Sequence, residues 1–170
     1  SARAGNVIGG GDWSADRIIP DCIRAIEQNI PIVLRNPKST RPWQHVLEPL
    51  SGYLILGSKL HESPKSFSGS WNFGPHISEL KDVQNVALEI IKNMKKGNIA
   101  IATNPNNQHE ANLLQLNCDK ASQLLDWEPR WSVDKTIEET AKWYSLFLKG
   151  KNVNQISLDQ INDYFEGELN

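Results

Sequence analysis

A cluster of polar and aromatic side chains precedes an apolar, helix-like run in the stretch STRPWQHVLEPLSGYL, residues 39–54. Arg41 and His45 lie four positions apart around the expected start of a helix, where unpaired backbone N–H groups favour anions. The arginine offers a planar set of donors suited to phosphate, and a neutral imidazole can bind a phosphate or hold the loop. The alternative is that Arg41 pairs with Glu48 and that Trp43 simply packs, because surface ion pairs and packed tryptophans are common.

The composition indicates one ordinary globular domain. A chain of 170 residues with 39% hydrophobic and 22% charged residues can bury a sizeable core. The net charge of -2 and the absence of a long lysine or arginine run argue against a nucleic-acid partner. No apolar run approaches the roughly 20 residues that span a bilayer, and no basic-then-apolar leader is visible. We therefore expect a cytoplasmic protein without a membrane or nucleic-acid partner.

Both cysteines are expected to be structural. Cys22 and Cys118 lie far apart in the sequence, and neither has a second cysteine or a metal-type spacing nearby. We interpret both as small buried hydrophobic residues, with a disulfide or a thiol nucleophile as the alternative.

Apolar periodicity and capping residues predict short strands that alternate with amphipathic helices. Helices are expected over about 16–28, 47–60, 78–96, 119–126 and 133–148. The residues expected to begin them are, in the same order, Ser14, the stretch before Leu47, Ser78, Asp119 and Ser132. The apolar residues of the second helix are expected to face inward: Leu50, Tyr53, Leu54, Leu56 and Leu60. Strands are expected in NVIG, PIVLR, GSWNFGP and NIAIA. This pattern predicts an α/β fold, with residues 149–170 as a peripheral tail that carries a short helix over LDQINDYF.

An ordered set of short motifs carries a resemblance over about residues 1–148. The motifs are RAGNVIGGGDW, DRIIP, RNPKSTRPWQHV, WNFGP and HEANLLQLNCDKASQLLDWEPRW. Together they resemble the C-terminal half of extended short-chain dehydrogenase/reductases that act on nucleotide sugars, and most of all the branch that dehydrates CDP-glucose. The resemblance implies the C-terminal substrate-binding portion of an extended SDR fold, which lacks most of the NAD-binding Rossmann half.

Two features of the complete family members are absent from this sequence. No glycine-rich G-x-x-G-x-x-G loop follows a strand at the start, and glycines 9 to 11 belong to the loop after NV. No tyrosine is followed four positions later by a lysine, because Tyr53, Tyr144 and Tyr164 are followed by Gly57, Leu148 and Glu168. We therefore expect a fragment that begins after the family's catalytic helix, holds no catalytic residue and does not bind NAD tightly.

The resemblance implies a set of substrate-binding residues. Asn6 is expected near the sugar diphosphate, with Arg3 in a weaker supporting role and a turn-capping amide as the alternative. Arg17, Ile18 and Ile19 are expected to wall the nucleotide, although plain core packing is the rival for the two isoleucines. Arg41 is expected to bind phosphate, and Arg35 is a nearby alternative.

Four further candidates complete the expected site: His45, Asn72, His109 and Glu110. Asn72 ends a strand and could reach the nucleotide, with turn chemistry as its rival. His109 and Glu110 lie in a polar loop, where a carboxylate could accept hydrogen bonds from ribose hydroxyls and where plain solvent exposure is the alternative. We do not expect a metal site there, because no third ligand falls at a suitable spacing.

The function implied for the parent protein is NAD-dependent loss of water from CDP-glucose, which gives a 4-keto-6-deoxy sugar nucleotide. The expected partner is therefore a nucleotide sugar, with CDP-glucose first, and a homo-oligomer is compatible with this. An epimerase or decarboxylase of the same superfamily is the rival within the enzyme class. From another class, the chain could be a non-catalytic ligand-binding or interaction module.

Overall fold

The computed structural model of the chain describes residues 1–102 and 114–166. Its helices are α1 (Ile18–Gln28), α2 (Leu47–Glu62), α3 (Pro64–Phe67), α4 (Val83–Met94), α5 (Asp119–Leu125), α6 (Val133–Leu148) and α7 (Val153–Glu166). Its strands are β1 (Ala2–Ala4), β2 (Asn6–Ile8), β3 (Ile32–Leu34), β4 (Thr40–Arg41), β5 (Trp43–His45), β6 (Trp71–Phe73), β7 (Lys81–Asp82) and β8 (Ile99–Ile101). The predicted α/β architecture is confirmed.

Within the described residues, the strands pair in four short two-stranded sheets. Strand β1 pairs with β6, β2 with β5, and β3 with β8, all in parallel. Strands β4 and β7 pair antiparallel, with Thr40 opposite Asp82. Parallel neighbours need long crossover connections, and here helices lie between the paired strands along the chain. The register of β2 on β5 places Asn6 opposite Trp43.

In the part of the chain that the structure describes, the core consists of two apolar clusters. The larger one packs α1, α4 and α6 against β2, β3 and β5, with fully buried side chains that include Ile23, Ile90 and Ile137. The smaller one surrounds Trp71 and Phe73 of β6 with residues of α2 and α5. None of the helices in the described part of the chain has both the length and the apolar composition needed to cross a lipid bilayer.

Several predicted elements are confirmed at close to residue level. Helix α6 covers Val133–Leu148 as predicted, and the Ser132 hydroxyl accepts a hydrogen bond from the Lys135 N–H at 3.2 Å. Helix α5 begins at Asp119. The strands predicted in NVIG, PIVLR, GSWNFGP and NIAIA are present as β2, β3, β6 and β8. These elements follow from local patterns, because a cap and an apolar repeat are both defined within a few residues.

Two predicted helix starts are wrong. Helix α1 begins after Arg17 without a side-chain cap, and the N–H of Ser14 donates to the Asp12 carboxylate instead. Helix α4 begins at Val83, where Asp82 accepts the Asn85 N–H at 2.7 Å, rather than at Ser78. The residues before Val83 form a 3-10 turn, Ile77–Glu79, and then strand β7, which pairs with β4.

The predicted inward face of α2 is also wrong in most positions. Of the expected residues only Leu56 is buried, Leu60 is half-buried, and Leu54 is 71% exposed. The buried side of α2 carries Glu48 and Gly52 instead. Gly52 is needed there, because an added Cβ would lie 2.3 Å from the Phe73 ring.

The C-terminal region holds a longer helix than LDQINDYF predicts. Helix α7 spans Val153–Glu166 and buries Ile156, Gln160 and Tyr164. The amide Nε2 of Gln160 donates to the backbone oxygen of Glu139 in α6 at 2.7 Å. The helix is therefore attached to the body of the fold by buried polar and apolar contacts.

Candidate functional site

An open cleft of about 1000 Å³ lies beside β2 and β3. Its walls are β2, the loop after β2, the first turn of α1, and β3 with the residues that follow it. The structure brings five of the predicted site residues together around this cleft: Asn6, Arg17, Ile18, Ile19 and Arg41. The weaker candidate Arg35 also lines it.

The residues on the two walls are held by short strands. The backbone N–H of Asn6 donates to the Pro42 oxygen at 2.8 Å, which fixes the start of β2 against the strand after Arg41. Arg41 pairs with Lys81 across the β4–β7 sheet, and its Nη1 donates to the Thr40 oxygen at 2.8 Å. Both side chains therefore lie on a fixed backbone at the cleft.

The two isoleucines of the DRIIP motif differ in burial. Ile19 is almost fully buried and belongs to the larger core cluster, whereas Ile18 is half-buried and packs against that cluster from the cleft side. Core packing thus explains the position of Ile19, and Ile18 is the better placed of the two for contact with a ligand.

Three arginines line the cleft, and two of them pair with carboxylates of described residues. Arg17 Nη1 lies 3.2 Å from Asp12 Oδ2, and Arg35 Nη2 lies 2.7 Å from Asp16 Oδ1. Exposed ion pairs of this kind contribute little to stability. The Arg17 guanidinium contacts Asp12 through Nη1 and has five N–H donors in all, so an incoming phosphate can bind it beside the carboxylate.

Asp12 is ionised at this cleft. Partial burial acts to raise its pKa, but hydrogen bonds from the Ser14 N–H and from Arg17 hold the pKa of Asp12 below its usual value. The cleft therefore carries cationic and anionic groups side by side at neutral pH.

Glu48 does not act as the ion-pair partner that the sequence offers for Arg41. It is 0% exposed and accepts hydrogen bonds from the Arg130 N–H at 3.1 Å and the Trp131 N–H at 2.9 Å. The Tyr164 hydroxyl donates to the same carboxylate at 2.8 Å. Burial raises the pKa of Glu48 above its usual value, although these hydrogen bonds oppose the shift. Its role is to fix the residues before α6 and the end of α7 to the start of α2.

His45 lies in the protein interior rather than among the cleft-lining residues. It is 1% exposed, its Nδ1 is 3.4 Å from the Leu47 N–H, and its ring lies 4.8 Å from the Trp131 ring. Among the described residues its Nε2 has no hydrogen-bond partner. Burial lowers the pKa of His45 to about 4, against an opposing effect of Glu139, so the ring is neutral at pH 7. This position agrees with the alternative in which His45 holds the loop before α2.

The other candidates lie away from the cleft or outside the described residues. Asn72 is in the middle of β6, and its Nδ2 donates to the Asn117 oxygen at 3.0 Å. Arg3 lies opposite Asn72 in the β1–β6 sheet, and neither residue is among those lining the cleft. His109 and Glu110 lie outside the described residues.

The glycine triplet after β2 serves close packing. A Cβ at Gly10 would lie 2.1 Å from the Trp143 ring of α6, so this backbone rests directly on the indole. A dinucleotide-binding loop instead presents its backbone to a pyrophosphate at the start of a helix. Gly10 therefore does not fit an NAD cradle.

Three residues at or near the cleft were missed by the sequence analysis. Asp12 and Asp16 pair with Arg17 and Arg35, and their short spacing from Arg17 is a signal that could have indicated an ion pair. Tyr144 of α6 donates its hydroxyl to the Asp12 backbone oxygen. No local pattern connects residues separated by 132 positions.

No family model matches the sequence. The chain is 42% identical over 164 residues to CDP-glucose 4,6-dehydratase from Salmonella typhimurium, a match that covers 96% of this chain and 46% of that protein. The chain thus spans about half the length of the curated relative it matches.

Solved structures share the fold over a similar portion. A dTDP-glucose 4,6-dehydratase from Bacillus anthracis, in complex with NAD, matches with a TM-score of 0.69 and 21% identity over 84% of this chain and 43% of that one. An epimerase from Methanothermobacter thermautotrophicus matches with a TM-score of 0.73 and 23% identity over 87% of this chain and 43% of that one. The resemblance found in the motifs is confirmed: the chain has the fold of a portion of an extended short-chain dehydrogenase/reductase and is similar in sequence to CDP-glucose 4,6-dehydratase.

Proposed function

We propose that this chain supplies the nucleotide-sugar-binding part of an NAD-dependent CDP-glucose 4,6-dehydratase. The observation that carries the proposal is the cleft that gathers Asn6, Arg17, Arg35 and Arg41. A diphosphate carries negative charge that guanidinium groups bind in a fixed geometry. The 42% identity to a CDP-glucose 4,6-dehydratase supports the choice of substrate.

The task of these residues is positional. Arg41, with Arg17 or Arg35, holds the two phosphates, while Asn6 donates from the start of β2 and Ile18 covers the nucleotide. Fixing the diphosphate, which links the nucleoside to the hexose, places the hexose at a defined distance and orientation, which is a large part of rate acceleration in such reactions. The acid/base groups and NAD belong to the other half of the proposed enzyme.

The identity of the reaction is tested in the complete polypeptide that carries this chain. With NAD present, CDP-glucose is expected to give a 4-keto-6-deoxy product, and UDP-glucose and dTDP-glucose are expected to react much more slowly. Interconversion of two CDP-hexoses without a dehydrated product would instead identify an epimerase. Binding of CDP-glucose without any turnover would favour a non-catalytic ligand-binding module.

The role of Arg41 is tested by Arg41→Ala in the same polypeptide. Loss of a charge-assisted contact to phosphate should cost about 2 to 4 kcal/mol, or about 30- to 1000-fold in kcat/KM, with little change in Tm. The matched control is Lys92→Ala, which removes an exposed cation of α4 whose partner is Glu89. A lower Tm with kcat/KM unchanged would show that Arg41 serves the fold and would remove it from the site.

A further inference from the structure

We propose that Tyr144 is a positioning residue for the cleft, acting through Asp12 to hold the Arg17 guanidinium where the substrate diphosphate binds. The inference rests on the proposed function for its ligand. It adds a residue of α6 that lines no part of the cleft itself.

The geometry is a continuous series of contacts from α6 to the cleft. The Tyr144 hydroxyl donates to the backbone oxygen of Asp12 at 2.5 Å. The carboxylate of Asp12 accepts the Ser14 N–H at 3.0 Å through Oδ1 and the Arg17 Nη1 at 3.2 Å through Oδ2. One residue, Asp12, therefore connects a buried tyrosine with an exposed arginine.

The loop after β2 needs such an anchor. Gly11 has φ of 82° and Asp16 has φ of 60°, so the backbone adopts left-handed conformations on both sides of Asp12. Gly11 adopts this conformation without steric cost, whereas at Asp16, which has a Cβ, it is less common and persists when surrounding contacts support it. The exposed Arg17–Asp12 pair supplies little support of its own. The position of Arg17 thus depends on how firmly Asp12 is held.

The hydroxyl of Tyr144 can be separated from its ring. Tyr144 is fully buried, and its ring packs edge-on against Trp13 at 5.2 Å and Trp143 at 5.3 Å between centroids. A phenylalanine would keep these ring contacts and remove only the donor. Burial also raises the pKa of Tyr144 to about 12, so the hydroxyl is protonated and can donate across the neutral range.

The test uses four forms of the complete polypeptide: wild type, Tyr144→Phe, Arg17→Gln and the double variant. Titration calorimetry with CDP-glucose should show roughly three- to tenfold weaker binding for Tyr144→Phe, the effect of one lost hydrogen bond. In the Arg17→Gln background the same substitution should change the Kd by less than about twofold, because the residue it positions is already gone. Equal effects in both backgrounds, or an unchanged Kd with a lower Tm, would show a merely structural role and overturn the inference.

Hydrogen exchange and a matched control complete the experiment. Amides of residues 10–17 should exchange faster in Tyr144→Phe, whereas Tyr53→Phe, the same change on a half-exposed ring, should alter neither exchange nor Kd. If exchange in residues 10–17 is unchanged in Tyr144→Phe while the wild-type protein binds CDP-glucose, only the positioning role of Tyr144 is overturned. Failure of the wild-type protein to bind CDP-glucose overturns the proposed function, and with it the role of Tyr144 in binding.

Discussion

Replacement of Tyr164 by phenylalanine tests whether helix α7 is bound to the fold through the buried carboxylate of Glu48. The Tyr164 hydroxyl donates to Glu48 at 2.8 Å and lies 3.1 Å from the Ser51 hydroxyl. The ring is almost fully buried and lies 5.3 Å from the Trp131 ring. Phenylalanine keeps the ring contact and removes the hydroxyl, so the substitution isolates the polar contribution.

The expected loss of stability follows from the hydrogen bonds that Glu48 keeps in the variant. A hydrogen bond to a charged group contributes about 1.5 to 3 kcal/mol, and its removal leaves a buried carboxylate with two donors instead of three. We therefore expect the free energy of unfolding to fall by about 2 to 3 kcal/mol. For a chain of this length that corresponds to a decrease in Tm of roughly 4 to 12 °C.

Urea denaturation of both forms at pH 7 measures the change, with the denaturant slope as a check that the folded state is intact. Tyr53→Phe is the matched control, because it makes the same change on a ring that is 37% exposed. It should alter stability by less than about 0.5 kcal/mol. If Tyr164→Phe matches this control, the Glu48 contact does not secure α7, and the region is a peripheral tail as the sequence predicts.

Three further outcomes are expected. The pKa of His45 is about 4 in the folded protein, well below the 6.5 of an unperturbed histidine, so its contribution to stability is complete above pH 6.5 and falls as the pH drops toward 4. Between pH 7 and 4 the free energy of unfolding should fall by about 3 kcal/mol, and His45→Gln should reduce this fall. An identical pH profile for the variant would show that His45 is not the group responsible. Gly10→Ala should destabilise the protein by about 1 to 3 kcal/mol, because its Cβ would overlap the Trp143 ring. Gly57→Ala, which has open space around it, is the control and should be neutral or stabilising when both variants are compared by thermal melts. Residues 1–170 alone should give no 4-keto product from CDP-glucose and NAD in a chromatographic assay, and any such product would refute the proposed division of roles.

The elements that the sequence predicted well are those defined by neighbouring residues. The apolar repeat of α6 and its cap at Ser132 lie within a single segment, so local pattern was enough. The buried face of α2 was not predictable in this way. Glu48 is buried because its donors come from Arg130, Trp131 and Tyr164, and a carboxylate without those partners belongs in water.

The site was predictable in part for a related reason. The motifs supplied Asn6, Arg17 and Arg41, and the structure places all three around one cleft, while their binding role stays a prediction. Periodicity could not show that Tyr144, in a helix more than a hundred positions later, holds the backbone of Asp12. Contacts of this kind depend on the tertiary fold, and only the structure reveals them.

The burial of Glu48 also has a consequence for the order in which the chain can fold during synthesis. Its donors lie 82, 83 and 116 positions later in the sequence. At about 5 to 20 residues per second, a ribosome needs roughly 6 to 23 s to extend the chain from Glu48 to Tyr164. Until residues 130 and 131 are made the carboxylate has none of these donors, and until Tyr164 is made it has at most two of the three. The start of α2 therefore stays hydrated and cannot complete its native packing. A nascent chain stalled before Arg130 should be far more sensitive to protease around Glu48 than the released protein.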